Sequence, residues 1–277
     1  EHRKQPYFPE VSSSGWTWTD RESLFTASLP RASVILTGTE TGKQEIVHYY
    51  RVNPENVGVI PLPVPASALM RPSCGPAEIK SKYGIDCDFL FYPAQFWPHK
   101  NHINLLRALK ILTDQNRLDI MLVLTGSDKG NLAHVLNEID RLGLSGRVVT
   151  PGFLPREDLN ALFRAATALV FPSYFGPDNL PPLEAFALGV PVAASDIAGA
   201  KEQLGEAALL FDPSDPLDIA AKITKLCQHS RLREELIAKG AATARTRIPD
   251  AYIAKLCSRL DKFEKISRCW DSSYRHS

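Results

Sequence analysis

No apolar run in the 277-residue chain reaches the ~18 residues that a membrane-spanning helix needs, so no transmembrane helix is expected. Cysteines are sparse and unpatterned: Cys74, Cys87, Cys227, Cys257 and Cys269 form no Cys-x-x-Cys and are odd in number. Their spacing supports neither a disulfide framework nor a zinc site, and it suits reduced cytosolic thiols. Excess charge of one sign is also missing, since 32 Lys+Arg face 31 Asp+Glu and leave a formal net charge of +1. Without a global field, no nucleic-acid partner is expected, and any anion must be held by a local constellation. There is no Walker A, Gly-x-Gly-x-x-Gly or Gly-x-Ser-x-Gly motif. The first residues carry neither Met nor an apolar h-region, which is not the pattern of a signal peptide. His2, His48, His134, His229 and His276 have no partner visible in sequence. No His pair has ligand spacing on a clear helix face, so no metal site is predicted.

The chain does contain alternating strand and helix patterns. The first part predicts a helix near 21–32, a strand at 33–37, a helix at 41–50 and a strand from Val57 stopped by prolines. Residues 65–76, rich in Pro, Ser and Ala, read as a linker. From Phe89 the alternation becomes regular. Strands are predicted at 89–92, 120–125, 148–151, 168–172, 191–195 and 207–211. Helices are predicted at 102–115, 131–142, 156–166, 181–188 and 216–229, the third opening with Glu157 and Asp158 at the positive end of its dipole. Strands alternating with helices imply an α/β fold with a parallel, doubly wound sheet, whose ligands sit beyond the carboxyl ends of the strands. A terminal helix is expected over 249–270, with Tyr252, Leu256, Leu260 and Phe263 as its apolar stripe.

Two constellations stand out. Gln95-Phe96-Trp97-Pro98-His99-Lys100-Asn101-His102 lies between a strand and a helix. A lysine beside free N–H groups at a helix start is a diphosphate-type anion site. The plain alternative is a solvated loop lysine with Asn101 as an N-cap. In the second, Gly176-Pro177-Asp178-Asn179-Leu180-Pro181-Pro182-Leu183-Glu184 leaves a strand through a turn-rich loop and starts a helix with prolines. Glu184 falls in the middle of an apolar face, where a buried carboxylate needs partners such as paired sugar hydroxyls. The alternative role is stabilisation of the helix dipole. Turns at Gly126-Ser127-Asp128 and Ser195–Glu202 are weaker signals, and tight structural turns are at least as good a reading.

In combination these segments resemble the C-terminal domain of family 4 glycosyltransferases, the retaining GT-B enzymes. Leu180-Pro181-Pro182-Leu183-Glu184-Ala185 and Gly189-Val190-Pro191-Val192 match the family core. Val123–Gly126, Val149–Leu154 and Leu210–Pro213 match in order and spacing. The resemblance divides the chain into residues 1–64, a remnant of the acceptor-side domain, a linker at 65–76, a nucleotide-sugar-binding domain at 77–248, and a crossover helix and tail at 249–277. It also implies that a long N-terminal half normally precedes the segment met at Glu1.

The same resemblance implies transfer of a hexose, with retention, from a nucleotide-diphosphate sugar to a saccharide or lipid-linked acceptor, as in surface polysaccharide synthesis. It implies no metal, because lysine and helix dipoles neutralise the leaving diphosphate. A cytoplasmic protein, with peripheral association at the inner membrane face, follows from the same likeness. Position by position, Lys100 is expected on the diphosphate, Glu184 on the ribose hydroxyls, and the amides of Asn179 and Leu180 near phosphate or sugar. Thr150, Gly152 and Phe153 border the base, and Gly126 and Gln95 complete the donor site. Two positions depart from the family pattern: Gln95 replaces its arginine, and Gly176 its first motif glutamate. Asp178 or Asn179 is expected to take over the sugar contact as the catalytic pair. The rival readings are a GT-B epimerase or phosphorylase, against the first of which Pro-Pro-Leu-Glu argues, and a truncated, non-catalytic nucleotide-binding piece.

Overall fold

The computed structural model describes residues 18–72, 74–115, 118–176 and 178–270. Most of the expected acceptor-side remnant falls inside that set; residues 1–17, the tail at 271–277 and motif residue Pro177 lie outside it. The chain divides into two units, one of Val64–Arg245 and one of Glu1–Pro63 with Thr246–Ser277.

The larger unit begins with α3 (Pro76–Lys82) and continues with β3 (Asp88–Pro93), α4 (His102–Asp114), β4 (Ile120–Thr125), α5 (Leu132–Arg141) and β5 (Val148–Gly152). Then come α6 (Arg156–Ala165), β6 (Ala168–Phe171), α7 (Leu180–Leu188), β7 (Val192–Ser195), α8 (Ala200–Leu204), β8 (Ala208–Phe211), α9 (Pro216–Gln228) and α10 (Ser230–Thr246). The strands form one parallel sheet in the order β5-β4-β3-β6-β7-β8. This is the doubly wound α/β fold expected from the alternation. Chain order reverses between β3 and β6, so the switch point lies between their carboxyl ends. Because helices cover both faces, β4 and β6 are buried throughout, and all but the terminal Thr125 of β4 are apolar. Phe91 packs edge-on to Phe163 at 4.9 Å, and Tyr92 to Phe171 at 5.5 Å. Pro151 is tolerated because β5 is an edge strand.

Three helices of this unit escape the periodicity reading. The first, α3, starts at Pro76, the last residue of the stretch read as linker, and it buries Ile79. The second, α8, spans only five residues. The third, α10, carries few apolar residues; it buries Leu236 and Gly240, whose missing Cβ leaves room for the Phe186 ring. The expected linker is packed: Ala68 is in the core, and Asn160 donates to the carbonyls of Ser67 and Met70. Asp158 lies in the first turn of α6 as expected, and it does more than meet the helix dipole. Buried, it accepts from Lys82 Nζ at 2.7 Å and from the Tyr83 hydroxyl, tying α6 to α3.

In the smaller unit, α1 (Trp18–Ser28) precedes β1 (Ile35–Thr37), α2 (Glu40–Tyr50) and β2 (Val57–Val59), and the two strands pair in parallel. The second strand ends at Val59, and Ile60 N still donates to Thr37 O at 2.8 Å just before Pro61, as expected of a strand stopped by prolines. Thr39 caps α2 by accepting from Gly42 N at 3.0 Å. Helix α11 (Pro249–Ser267) belongs to this unit and donates from Arg259 to the Glu55 carbonyl. Its half-buried face is Tyr252, Leu256, Arg259 and Phe263, whereas Leu260 is 47% exposed. The expected stripe is therefore corrected at Leu260: Arg259, one residue earlier, turns inward because Gly58 leaves space for its side chain. Among the described residues, no helix is long and apolar enough to cross a membrane.

Candidate functional site

The loops after β3, β4, β5 and β6 carry nearly every residue singled out from sequence. Their anchoring begins with Gly126, where a Cβ would stand 2.3 Å from the Ala94 carbonyl oxygen. Its N–H donates to Gly152 O at 2.9 Å, while Ala94 N donates to Thr125 O at 2.9 Å. Glycine at 126 therefore lets the ends of β3, β4 and β5 close on one another. Gln95 accepts from Trp97 Nε1 at 3.0 Å within the same loop. Thr150 and Gly152 are half-buried in the end of β5, and Phe153 just beyond is 82% exposed. An aromatic face left open beside Gly152 is available for stacking.

Lys100 ends a single helical turn, Pro98–Lys100, ahead of α4. Its ammonium lies 5.5 Å from the centre of the Phe171 ring, and its carbonyl accepts from the Tyr92 hydroxyl at 2.7 Å. Asn101 stands at the N-cap position of α4 but does not cap the helix with its side chain. It adopts the left-handed conformation (φ 57°), and its side chain makes no capping bond to α4. Its amide donates instead to Pro172 O at 2.9 Å and Pro213 O at 2.7 Å. Asn104, one turn on, donates to the Tyr174 hydroxyl at 2.8 Å and Pro213 O at 3.0 Å. Two asparagines thus bolt the lysine loop to the loops after β6 and β8. The sequence reading passed over Asn104; its only signal was a second polar amide three residues after Asn101.

Both histidines of this loop are held neutral. His99 stacks on Phe175 at 4.4 Å, and burial, then the Lys100 charge, pushes its pKa down to about 3. His102 stacks on Phe96 at 4.7 Å and is likewise lowered to about 3, burial again first and Lys100 second. The positive charge of this loop therefore resides on Lys100.

Across the switch point, the loop ahead of α7 is closed by Gln203 of α8. Asn179 N donates to Gln203 Oε1 at 3.1 Å, and Gln203 Nε2 donates to Asn179 O at 2.8 Å and Asp178 Oδ1 at 2.9 Å. The Asn179 amide, expected toward phosphate or sugar, is thus engaged by a side chain here; Leu180 begins α7. Gly176 has φ 125°, and a Cβ there would stand 2.6 Å from Asn179 Oδ1. The position that carries the first motif glutamate in the similar family has no room for a side chain while Asn179 is folded back onto it. Nothing local in the sequence marks Gln203.

Glu184 is 6% exposed, too buried for a dipole role alone, and its Oε1 accepts from Arg156 Nη2 at 2.6 Å. Arg156 opens α6, immediately after the turn carrying Gly152 and Phe153. Its Nε is buried with no hydrogen-bond partner among the described residues. Such an unmade bond costs about 1–3 kcal/mol. Arg156 was not singled out from sequence, being one of many charged helix-start residues. Lys100, the Phe175–Leu180 loop, and the Arg156–Glu184 pair supply a cation, a ring of fixed carbonyl and amide groups, and a carboxylate. That set can neutralise a diphosphate and accept from paired hydroxyls.

The family described as Glycosyl transferases group 1 matches residues 77–243. The chain is 29% identical over 219 residues to O-antigen chain mannosyltransferase B of Escherichia coli, covering 79% of this chain and 58% of that protein. It is 28% identical over 243 residues to D-inositol 3-phosphate glycosyltransferase of Thermomonospora curvata, covering 81% of this chain and 56% of the relative. The chain thus spans somewhat more than half the length of these two relatives. Among solved structures, sucrose-phosphate synthase from Thermosynechococcus elongatus aligns with a TM-score of 0.76 at 21% identity, covering 90% of this chain and 62% of that one. Anabaena Alr3699/HepE in complex with UDP-glucose aligns with a TM-score of 0.74 at 19% identity, covering 83% and 64%. At these identities the structures speak for the fold, which is GT-B. With the family matched across most of the larger unit and more than half of the chain, the chain belongs to the group 1 glycosyl transferases.

Proposed function

We propose that these residues form the donor-binding part of an enzyme that transfers a hexose, with retention, from a nucleotide-diphosphate sugar to a saccharide or lipid-linked acceptor. The observation that carries this is the placement of Lys100 and Glu184 after β3 and β6, where a doubly wound sheet reverses and binds its ligands. Lys100 meets the diphosphate and, with the helix ends around it, neutralises the leaving group without a metal. Glu184 accepts from the ribose hydroxyls, Phe153 stacks on the base, and Thr150, Gly152, Gly126 and Gln95 border it. Asp178 and Asn179 face the sugar, the Asn179 amide becoming available to it only when Gln203 yields.

The hexose and the polysaccharide setting are supported by the mannosyltransferase named for the O-antigen chain, and the nucleotide by the UDP-glucose complex of HepE. The acceptor would be met by the acceptor-side domain, to which Ile35–Val59 contributes, on the cytoplasmic side and at a membrane face. Calorimetric titration with UDP and GDP, followed by their hexose conjugates, tests the reading. A nucleoside diphosphate should bind, and Lys100→Ala should weaken it. No affinity for either nucleotide would overturn it.

A further inference from the structure

Arg156 has no part in the site as predicted from sequence, yet among the described residues it is the hydrogen-bond and ion-pair partner of the Glu184 carboxylate. The geometry is one-sided. A single guanidinium nitrogen meets a single carboxylate oxygen at 2.6 Å, and the buried Nε has no partner. Arginine–carboxylate pairs are frequently bidentate, two N–H groups meeting two oxygens, and this one is not. Here one oxygen is held and the other is left for something else. The two residues belong to different helices, α6 and α7, and Arg156 directly follows the turn that carries Gly152, Phe153 and Leu154. One side chain therefore links the base-bordering turn to the carboxylate.

We propose that Arg156 is a positioning residue for ribose recognition. It locks the rotation of the Glu184 carboxylate through Oε1, so that Oε2 and the remaining lone pair of Oε1 face the vicinal hydroxyls together. This rests on the reading that Glu184 lies at the ribose. Without the lock the carboxylate turns freely, and its advantage for two adjacent hydroxyls over one disappears, because both acceptors must be aligned at once. The contact to the diphosphate, proposed for Lys100, is unaffected.

The test is calorimetric titration of the 277-residue chain and of Arg156→Met, Arg156→Lys and Glu184→Gln with UDP, GDP, their 2′-deoxy forms and pyrophosphate. The wild type should prefer the ribonucleotide to its 2′-deoxy form. Arg156→Met should lose about tenfold in ribonucleotide affinity, the scale of one charge-assisted bond, and the ribo/deoxy ratio should fall toward one. Pyrophosphate affinity should stay within about twofold of wild type, since no phosphate contact is lost. Arg156→Lys, with charge but no planar fork, should keep part of the ratio. A wild-type ratio in Arg156→Met, or a parallel loss for pyrophosphate, overturns the proposal. If the Met variant does not fold, an unchanged ratio in Arg156→Lys does the same. Should Glu184→Gln retain the wild-type ratio, Glu184 is not at the ribose and both readings fall. Loss of the ratio in Glu184→Gln alone removes only the role of Arg156.

Discussion

Gln203 and Asn179 exchange two hydrogen bonds, 3.1 Å from Asn179 N to Gln203 Oε1 and 2.8 Å from Gln203 Nε2 to Asn179 O. The side chain thus mimics a strand neighbour, using one amide to satisfy both backbone polar groups of one residue. Its Nε2 also reaches Asp178 Oδ1, so the segment ahead of α7 is pinned from α8. Replacing Gln203 by Leu leaves a half-buried N–H and C=O of Asn179 without this partner, so thermal or urea unfolding should show a loss of about 0.5–1.5 kcal/mol. Because Asp178 and Asn179 are proposed to face the sugar, affinity for a nucleotide sugar should fall more than affinity for the nucleoside diphosphate. Equal losses would place the latch outside the sugar site.

Lys100→Ala should weaken nucleoside diphosphate binding by about 1.5–3 kcal/mol, the range for a charge-assisted bond. Because Asn101 and Asn104 hold this loop through their own amides, the fold should survive. Circular dichroism and calorimetry on the same sample check both halves, and unchanged affinity would refute the phosphate assignment.

Gly126→Ala places a methyl group 2.3 Å from the backbone oxygen of Ala94. Neither partner is a flexible side-chain end, so β3 and β4 must part at their carboxyl ends. A destabilisation of about 1–3 kcal/mol, as for overpacking, should accompany a loss of nucleotide affinity. Wild-type stability in urea would show that the loop yields freely.

Acid should destabilise the protein through His102. In the folded chain its pKa is about 3, against an ordinary 6.5, so between these values the unfolded state takes up a proton that the folded state refuses. The stability of the neutral form is complete above pH 6.5 and is lost as pH falls toward 3. The slope is about 1.4 kcal/mol per pH unit for one histidine. His99 contributes in the same direction. Urea midpoints measured from pH 7 to 5 should fall less steeply in His102→Phe than in wild type. Identical slopes would mean that His102 titrates normally in the fold.

Much of the sheet was legible because its strands are buried on both faces. Runs such as Ile120–Thr125 and Ala168–Phe171 leave little alternative to a parallel core, and Gly189 in the left-handed conformation marks the end of α7. The positions of Lys100 and Glu184 after strands were legible for the same reason. Helix α10 was not, since its burial rests on Leu236 and Gly240 and lacks a repeating apolar stripe.

Chain order and strand ends were thus determined by local apolar pattern, which acts over a few neighbouring residues and can be read along a line. Partners far apart in sequence were decided only by the fold. Asn101 reaches the carbonyl of Pro213 across 112 positions, Asn160 that of Ser67 across 93, and Arg156 the carboxylate of Glu184 across 28. A buried amide or carboxylate must find a partner, but the demand does not specify which one. That choice falls to whichever group the packed sheet brings within about 3 Å, a distance only tertiary structure sets.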